Sequence, residues 1–152
     1  MSRFNVRKVA VLGAGVMGAQ IAAQLVNVRV PVVLFDLPSG EGDKNAIAAR
    51  AIAQLGKIKP SPLGLAADAE LIQPANYEDH LERLRDCDLV IEAIAERLDW
   101  KQALYARIAP FMADHAILAS NTSGLSIASL AADLPEALRP RFCGVHFFNP
   151  PR

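Results

Sequence analysis

The sequence predicts an α/β fold in which helices cover both faces of a mostly parallel, doubly wound sheet. Strand and helix patterns alternate along the chain, as they do in proteins built from repeated strand–helix–strand units. Apolar residues make up 52% of the chain, a fraction that suits strands buried on both faces. With 152 residues, the chain is expected to form one domain with a substantial core.

The first strand–helix–strand unit surrounds a glycine-rich turn. An apolar strand over residues 8–12 leads into the turn, a helix over 19–26 follows it, and a second strand over 30–35 ends at Asp36. The turn itself is Gly13-Ala14-Gly15-Val16-Met17-Gly18, which fits the pattern G-x-G-x-x-G. Together these features predict a Rossmann-type unit that binds a dinucleotide.

Each glycine and Asp36 has a physical role in such a unit. Gly13 permits the tight turn, Gly15 lets a pyrophosphate approach the backbone, and Gly18 lets the helix pack against the strand. The start of the helix offers free N–H groups and a positive dipole end to the phosphates. A carboxylate at Asp36 can accept hydrogen bonds from the adenosine ribose hydroxyls and would repel a 2′-phosphate. We therefore expect NAD as the cofactor, in preference to NADP.

Further strands and helices are predicted after this unit. The strands cover residues 71–73, 89–93, 116–120 and 142–146. The helices cover residues 43–58, 77–84, 99–112 and 126–132. The first of these helices has to end at Lys59-Pro60-Ser61-Pro62, because proline cannot continue a helix. The third is expected to begin with Asp99 as its N-cap. Its buried side is marked by Leu104, Ile108 and Phe111.

Composition and charge exclude several classes of function. The 16 Lys and Arg residues balance 16 Asp and Glu residues, so no overall field favours nucleic acid as a partner. With only Cys87 and Cys143, we expect no disulfide framework and a reducing, cytoplasmic location. The Cys and His residues do not have a zinc-type spacing, and no metal is expected.

The glycine-rich segment admits two other interpretations. Residues 9–28 carry no charge and follow Arg7 and Lys8, as in signal peptides and membrane spans. Three glycines and three amide side chains dilute this stretch, and a turn in its middle suits neither, so we expect no membrane insertion. The second alternative is a glycine turn that binds no nucleotide. The position of Asp36 after the second strand argues against it.

Polar side chains follow the predicted strands, and the carboxyl ends of parallel strands meet at one edge of a sheet. These side chains are Asp36, Glu92, Glu96, Ser120, Asn121, Thr122, Ser123, His146 and Asn149. Oxidation of an alcohol requires a base for the hydroxyl proton and donors for the developing carbonyl. His146 is the natural base because imidazole titrates near neutral pH, and Ser123 and Asn149 can hold the oxygen.

Each of these residues also has a purely structural interpretation. A histidine at a strand end is often only a hydrogen-bonded structural residue. Residues 120–123 could cap the helix that follows, and Asn149 could form an Asx turn before Pro150. Glu92 could be a strand-end carboxylate that faces water, and Glu96 an ordinary turn residue.

Around these residues the chain resembles the 3-hydroxyacyl-CoA dehydrogenase family over nearly its whole length. Three separated signatures carry the resemblance. They are VLGAGVMG at residues 11–18 with Asp36, DLVIEAIAE at residues 88–96, and SNTS at residues 120–123 with HFFNP at residues 146–150. The second and third signatures are more specific than the glycine pattern.

The resemblance implies NAD-linked oxidation of a 3-hydroxyacyl-CoA to the 3-ketoacyl-CoA in fatty-acid β-oxidation. It implies that His146 is the catalytic histidine, that Ser123 contacts substrate and nicotinamide, and that Asn149 lies near the reacting oxygen. The implied NAD contacts are Gly13, Ala14, Gly15, Val16, Met17, Gly18, Asp36, Glu96, Lys101, Ser123 and Asn149. A lysine after Asp36 would meet the CoA phosphate, and the spacing leaves Lys57 and Lys59 both open.

Two parts of the family pattern are missing from this chain. The family's histidine works with a glutamate further along the sequence, and a second, helical domain completes the acyl-CoA site and carries the dimer contacts. Because residues 1–152 contain neither part, we expect an NAD-binding domain that binds NAD weakly and turns over little by itself. A homodimer is expected only with the helical domain.

The resemblance extends to a multifunctional branch of the family, and it leaves two other functions open. Residues 59–62 and Pro151-Arg152 resemble the branch in which the dehydrogenase is joined to an enoyl-CoA hydratase. One alternative is another NAD-dependent β-hydroxyacid dehydrogenase with the same nucleotide fold. The other is a non-enzymatic, crystallin-like relative.

Overall fold

A single parallel sheet runs through residues 4–151, the part of the chain that this computed structural model describes. Its strands are β1 (Val9–Leu12), β2 (Val32–Asp36), β3 (Ile72–Asn76), β4 (Leu89–Glu92), β5 (Ile117–Ser120) and β6 (Phe142–Gly144). Their order is β3-β2-β1-β4-β5-β6, and every pair of neighbours is parallel. The order of the strands reverses between β1 and β4, where open parallel sheets bind ligands.

Helices cover both faces of the sheet, which confirms the predicted fold class. They are α1 (Val16–Asn27), α2 (Ala46–Leu55), α3 (Leu98–Ile108) and α4 (Ile127–Ala131). Successive side chains of β1 point to opposite faces. Val9 and Val11 belong to the buried cluster that includes α1 and α2, whereas Ala10 and Leu12 belong to the cluster beneath α3 and α4.

The region around β3 differs from the prediction. The strand is longer than residues 71–73 and contains Pro74. A proline fits there because β3 lies at the edge of the sheet, where a missing N–H is tolerated. The predicted helix over 77–84 is wrong. The Asn76 Oδ1 accepts the N–H groups of Glu78 and Asp79, each at 2.9 Å, and this turn is followed by a 3-10 helix over Leu81–Asp86.

Several other boundaries differ from the prediction. Strand β6 ends at Gly144, so His146 lies in the loop beyond it. Helix α2 is shorter than the predicted 43–58. The assignment of Asp99 as an N-cap is wrong, because α3 begins at Leu98 and Arg97 holds the N-cap position. The Asp99 carboxylate instead accepts hydrogen bonds from the Arg97 guanidinium at 2.8 and 3.2 Å.

Three further properties concern the described residues only. None of the helices in residues 4–151 is both long and apolar enough to cross a membrane. Within the same residues, His, Cys, Asp and Glu side chains form no group of three that could hold a metal ion. Both cysteines are free: Cys87 is buried and Cys143 is exposed.

Candidate active site

The glycine turn joins β1 to α1 and lies against the neighbouring strands. Helix α1 starts at Val16, with Gly15 in the N-cap position, so its first free N–H groups belong to the motif. Gly13 has a φ of +101°, and a Cβ there would lie 2.7 Å from the carbonyl oxygen of Ala93. A Cβ on Gly18 would lie 1.8 Å from the Gly13 oxygen. Both glycines are therefore required by the fold itself.

Gly15 differs from the other two glycines of the turn. A Cβ at this position would meet no atom within 4 Å, so the absence of a side chain is not needed for packing among the described residues. It leaves open space in front of the first turn of α1. A pyrophosphate needs such a space to reach backbone N–H groups. The turn therefore fits a dinucleotide, and its geometry agrees with the role predicted for each glycine.

Asp36 ends β2 beside the glycine turn, as predicted. Its Oδ2 accepts the Ala14 N–H at 2.6 Å, and its Oδ1 accepts the Leu37 N–H at 2.7 Å. These two bonds fix the plane of the carboxylate while the side chain stays partly exposed. Each oxygen retains acceptor capacity for a ribose hydroxyl.

A cavity of about 590 Å³ opens next to Asp36. The glycine turn and the end of β2 form one side of it, and α3 forms another. Its walls include Gly13, Gly15, Asp36, Tyr77, Trp100 and Arg107. The cavity therefore continues from the predicted phosphate site past the predicted ribose site.

Tyr77 contributes a buried hydroxyl to this region. Its side chain is 4% exposed, and its ring stacks on Phe35 at 5.8 Å between centroids. The hydroxyl has no hydrogen-bond partner among the described residues. The nearby Gly13 N–H donates instead to the Phe35 oxygen at 2.8 Å. Burial, followed by the charges of Asp36 and Glu92, raises the pKa of Tyr77 well above its usual value.

Glu92 is fully buried, so the interpretation in which it faces water is wrong. Its Oε1 lies 2.6 Å from the Lys101 Nζ and also accepts the Ile94 N–H at 2.8 Å. Its Oε2 accepts the hydroxyls of Tyr105 at 2.6 Å and Ser120 at 2.7 Å. A buried carboxylate requires this degree of compensation. Lys101, predicted as an NAD contact, is itself only 1% exposed.

Glu96 holds the loop that follows β5. Its Oε1 accepts the Thr122 hydroxyl and the N–H groups of Ser123 at 3.0 Å, Gly124 at 2.9 Å and Leu125 at 3.3 Å. Partial burial acts to raise the pKa of Glu96. The bonds from Thr122 and Gly124 and the charge of Lys101 outweigh this effect and lower the pKa to about 2.

The second oxygen of Glu96 links this loop to the buried pair. Oε2 lies 3.6 Å from the Lys101 Nζ, and the Glu96 side chain is 43% exposed. Lys101 therefore lies between two carboxylates, those of Glu92 and Glu96. The sequence showed that these three residues are near one another along the chain, but it did not show that Tyr105 and Ser120 complete the same network.

Ser123 and His146 come together at this edge, as predicted. The Ser123 Oγ lies 2.9 Å from the His146 Nε2, and both residues are exposed. The loop carrying His146 is fixed to the β5 loop by the Phe147 N–H, which donates to Asn121 Oδ1 at 2.8 Å. The centroids of the Phe148 ring and the His146 imidazole lie 5.0 Å apart.

The loops that follow β5 and β6 differ from their purely structural interpretations. Helix α4 is capped by Ser126, whose Oγ accepts the Ser129 N–H at 3.2 Å. Ser120 and Ser123 therefore do not cap it. Asn149 is exposed and makes no hydrogen bond of its own within residues 4–151, so the Asx turn is not seen. Its side chain is free to meet a ligand.

The two lysines considered for CoA lie elsewhere. Asn27 ends α1, and its side chain donates to the Pro62 oxygen at 2.8 Å and accepts the Gly64 N–H at 2.9 Å. The segment just after Lys57 and Lys59 is thereby fixed at the far end of α1 from the glycine turn. A 12-residue helix is about 18 Å long. An extended ligand would have to cross that distance to touch both regions.

Comparison with known proteins connects these features to one family. The family profile described as "3-hydroxyacyl-CoA dehydrogenase, NAD binding domain" matches residues 8–152. A putative fatty acid oxidation complex trifunctional enzyme from Rickettsia felis is 45% identical over 149 residues, which are 97% of this chain and 21% of that protein. A probable 3-hydroxyacyl-CoA dehydrogenase from Deinococcus radiodurans is 42% identical over 150 residues, which are 97% of this chain and 43% of that protein.

Solved structures give the same result. A 3-hydroxybutyryl-CoA dehydrogenase from Escherichia coli K12 superposes with a TM-score of 0.77 at 34% identity, over 97% of this chain and 30% of that one. The (S)-3-hydroxybutyryl-CoA dehydrogenase from Ralstonia eutropha superposes with a TM-score of 0.76 at 34% identity, over 97% of this chain and 51% of that one. The chain thus spans about a fifth to a half of the length of these relatives.

Proposed function

Because the chain belongs to the 3-hydroxyacyl-CoA dehydrogenase family and forms its NAD-binding domain, we propose that it provides the cofactor site and the catalytic histidine for oxidation of a 3-hydroxyacyl-CoA to the 3-ketoacyl-CoA. The reaction belongs to fatty-acid β-oxidation. One observation carries the proposal: Ser123 Oγ lies 2.9 Å from His146 Nε2, at the edge of the sheet that also holds the glycine turn.

His146 is the proposed general base. In the tautomer with Nε2 unprotonated, this nitrogen accepts a hydrogen bond from the Ser123 hydroxyl in the resting site, and it is placed to take the proton of a substrate hydroxyl. NAD, when bound, supplies the acceptor for the hydride that leaves the substrate carbon. Ser123 and Asn149 donate hydrogen bonds to the oxygen as it becomes a carbonyl.

The glycine turn and Asp36 are the proposed cofactor site. The proposed contacts of the turn are Gly13, Ala14, Gly15, Val16, Met17 and Gly18. The free backbone N–H groups at the start of α1 face the pyrophosphate, while those of Gly13 and Ala14 donate within the fold. Asp36 accepts the adenosine ribose hydroxyls through the acceptor capacity that its two backbone bonds leave free. Val16 is 67% exposed, which suits an apolar contact with the cofactor.

Glu96 and Lys101 are proposed to act on the cofactor as a unit. Glu96 is partly exposed and can contact NAD directly, while Lys101 is buried between Glu92 and Glu96. We propose that Lys101 acts mainly through Glu96, whose position and charge it stabilises. This division of roles comes from the burial of Lys101, which the sequence motif alone did not indicate.

The proposed substrate is an acyl-CoA thioester, with Lys57 or Lys59 as the contact for the CoA phosphate. The proposed location is the cytoplasm, and no nucleic acid is expected as a partner. A homodimer is proposed to form through the second, helical domain of the family. The trifunctional relative supports a proposed link to an enoyl-CoA hydratase module.

Two measurements on the purified chain test this proposal. Titration with NADH, followed by NADH fluorescence, should show weak but saturable binding. Absence of saturable binding at millimolar NADH would contradict the cofactor site. A polypeptide limited to residues 1–152 should oxidise 3-hydroxybutyryl-CoA little or not at all, because the partner glutamate and the helical domain of the family lie outside this segment. Rapid turnover by the chain alone would contradict that part of the proposal.

A further inference from the structure

We infer that Trp100 is a specificity-determining residue for the cofactor, and that its indole is the surface on which the adenine base of NAD stacks. The inference rests on the proposed function, because it assumes that the glycine turn and Asp36 hold the phosphates and the adenosine ribose. It adds a base-recognition residue on a different element, helix α3.

The first observation is the position of the 590 Å³ cavity. It shares Gly13, Gly15 and Asp36 with the proposed phosphate and ribose contacts, and none of Ser123, His146 or Asn149 lines it. These three residues follow β5 and β6, on the other side of the switch point between β1 and β4. The cavity therefore lies on the adenosine side of the site, and the group that follows the ribose there is the purine.

The second observation is that one face of α3 forms a wall of this cavity. Trp100, Ala103, Leu104 and Arg107 recur at the spacing of a single helical face, and all four line the cavity. Trp100 is 52% exposed in the structure. Leu37, which directly follows Asp36, lines the same cavity and is 61% exposed. Two large apolar side chains thus remain uncovered in one cavity, which suits a flat aromatic ligand.

The third observation is that the indole is held in place from one side. The Arg97 guanidinium carbon lies 4.6 Å from the centroid of the Trp100 ring. Arg97 is in turn fixed by two hydrogen bonds to the Asp99 carboxylate. Cation–π contact and a paired guanidinium restrict the motion of an exposed tryptophan. A pre-organised indole is the form in which stacking on a base gains most affinity.

Intrinsic fluorescence tests the inference directly, because Trp100 is the sole tryptophan of the chain. The probes are ADP-ribose, which carries the adenine, and oxidised nicotinamide mononucleotide, which does not and which has no absorption band at the wavelength of tryptophan emission. ADP-ribose should quench Trp100 emission saturably, and the mononucleotide should not quench it. Trp100→Ala should weaken binding of ADP-ribose and NADH about tenfold while leaving mononucleotide binding unchanged. Trp100→Phe should retain most of the affinity, since it keeps an aromatic face.

Matched variants and separate readouts make the outcomes distinct. Leu65→Ala removes an apolar side chain that is 58% exposed and lies outside the cavity lining, so it should leave all affinities unchanged. Equal NADH affinity in the wild type and Trp100→Ala, read from NADH emission, overturns the stacking inference but not the cofactor site. Failure of the wild type to bind either NADH or ADP-ribose overturns both. Thermal melting confirms that each variant is folded.

Discussion

The buried ammonium of Lys101 and the buried carboxylate of Glu92 lie 2.6 Å apart, between the proposed cofactor site and the proposed catalytic residues. The Lys101 Nζ also lies 3.6 Å from Glu96 Oε2. The other oxygen of Glu96 accepts hydrogen bonds from the loop that carries Ser123. Ser123 in turn contacts His146. A continuous series of polar contacts therefore runs from the interior of the sheet to the proposed base.

Loss of one member of the buried Glu92–Lys101 pair should destabilise the domain more than loss of both members. Glu92→Gln leaves the Lys101 ammonium without its buried partner and should destabilise the domain by about 3 kcal/mol. The double variant Glu92→Gln with Lys101→Met should recover much of that loss. Urea denaturation measures both. The control is Lys44→Met, because Lys44 pairs with Glu78 and Asp79 at the surface and should change stability by less than about 1 kcal/mol. A single Glu92→Gln variant as stable as the wild type would contradict the assigned role.

The two buried tyrosines should respond in opposite ways to loss of the hydroxyl. Tyr77→Phe removes a hydroxyl without a partner and should raise the free energy of unfolding by about 1 kcal/mol. Tyr105→Phe removes the donor to Glu92 and should lower it by about 1–3 kcal/mol. Thermal and urea denaturation of the two variants provide the comparison. Destabilisation by Tyr77→Phe would show that its hydroxyl has a partner in solution.

Alanine substitutions at two glycines of the turn should affect different properties, folding at Gly18 and NADH binding at Gly15. Gly18→Ala places a Cβ 1.8 Å from the Gly13 oxygen and should strongly destabilise the domain or prevent its folding. Gly15→Ala meets no atom within 4 Å and should fold normally, yet it should weaken NADH binding because the methyl group occupies the space of the pyrophosphate. Circular dichroism and NADH titration distinguish the two effects. Unchanged NADH affinity in Gly15→Ala would contradict the assigned phosphate site.

The loop held by Glu96 should lose stability in acid. Glu96 has a folded-state pKa of about 2, against 4.5 in the absence of the fold. Its contribution is therefore fully present above pH 4.5 and is lost as the pH falls toward 2. Amide exchange of Ser123 and Gly124, followed by NMR across this range, measures the loss. Glu96→Gln should make the two amides exchange faster already at pH 7 and should remove the acid transition.

His146 should be required for chemistry and dispensable for folding. In a longer protein that carries both domains of the family, His146→Gln should lower kcat by at least about 10²-fold and leave NADH affinity within about threefold. The side chain is exposed, so the melting temperature should not change. Full activity of the variant would contradict the role of His146 as the base, whereas no dehydrogenase activity in the unsubstituted protein would favour a non-enzymatic, crystallin-like role.

The glycine turn, Asp36 and the meeting of Ser123 with His146 could be predicted because each depends on local chain geometry and on the rule that parallel strands end at one edge. Glu92 could not. A glutamate at a strand end has the same local pattern whether it faces water or the interior. Its burial depends on Lys101 and Tyr105, which reach it from α3. Sequence periodicity assigns a lysine to the surface, and only the tertiary contact reverses that assignment.

The errors at β3 and α3 have a similar origin. A proline normally ends a strand that lies in the interior of a sheet. The strand could be extended through Pro74 only once β3 was known to lie at the edge. Asp99 is a good N-cap by residue type, but Arg97, two residues earlier, engages its carboxylate. In both cases a partner outside the local pattern decided the structure.

Four donors converge on one oxygen of Glu96, and this restricts how the domain can be redesigned. A substitution at Glu96 meant to retune cofactor affinity would also release the backbone that positions Ser123, so the two properties cannot be varied independently there. Asp36 and Trp100, which make no hydrogen bond to that loop within residues 4–151, are the proposed positions where the choice of nucleotide can change while the geometry of the Ser123–His146 pair is conserved.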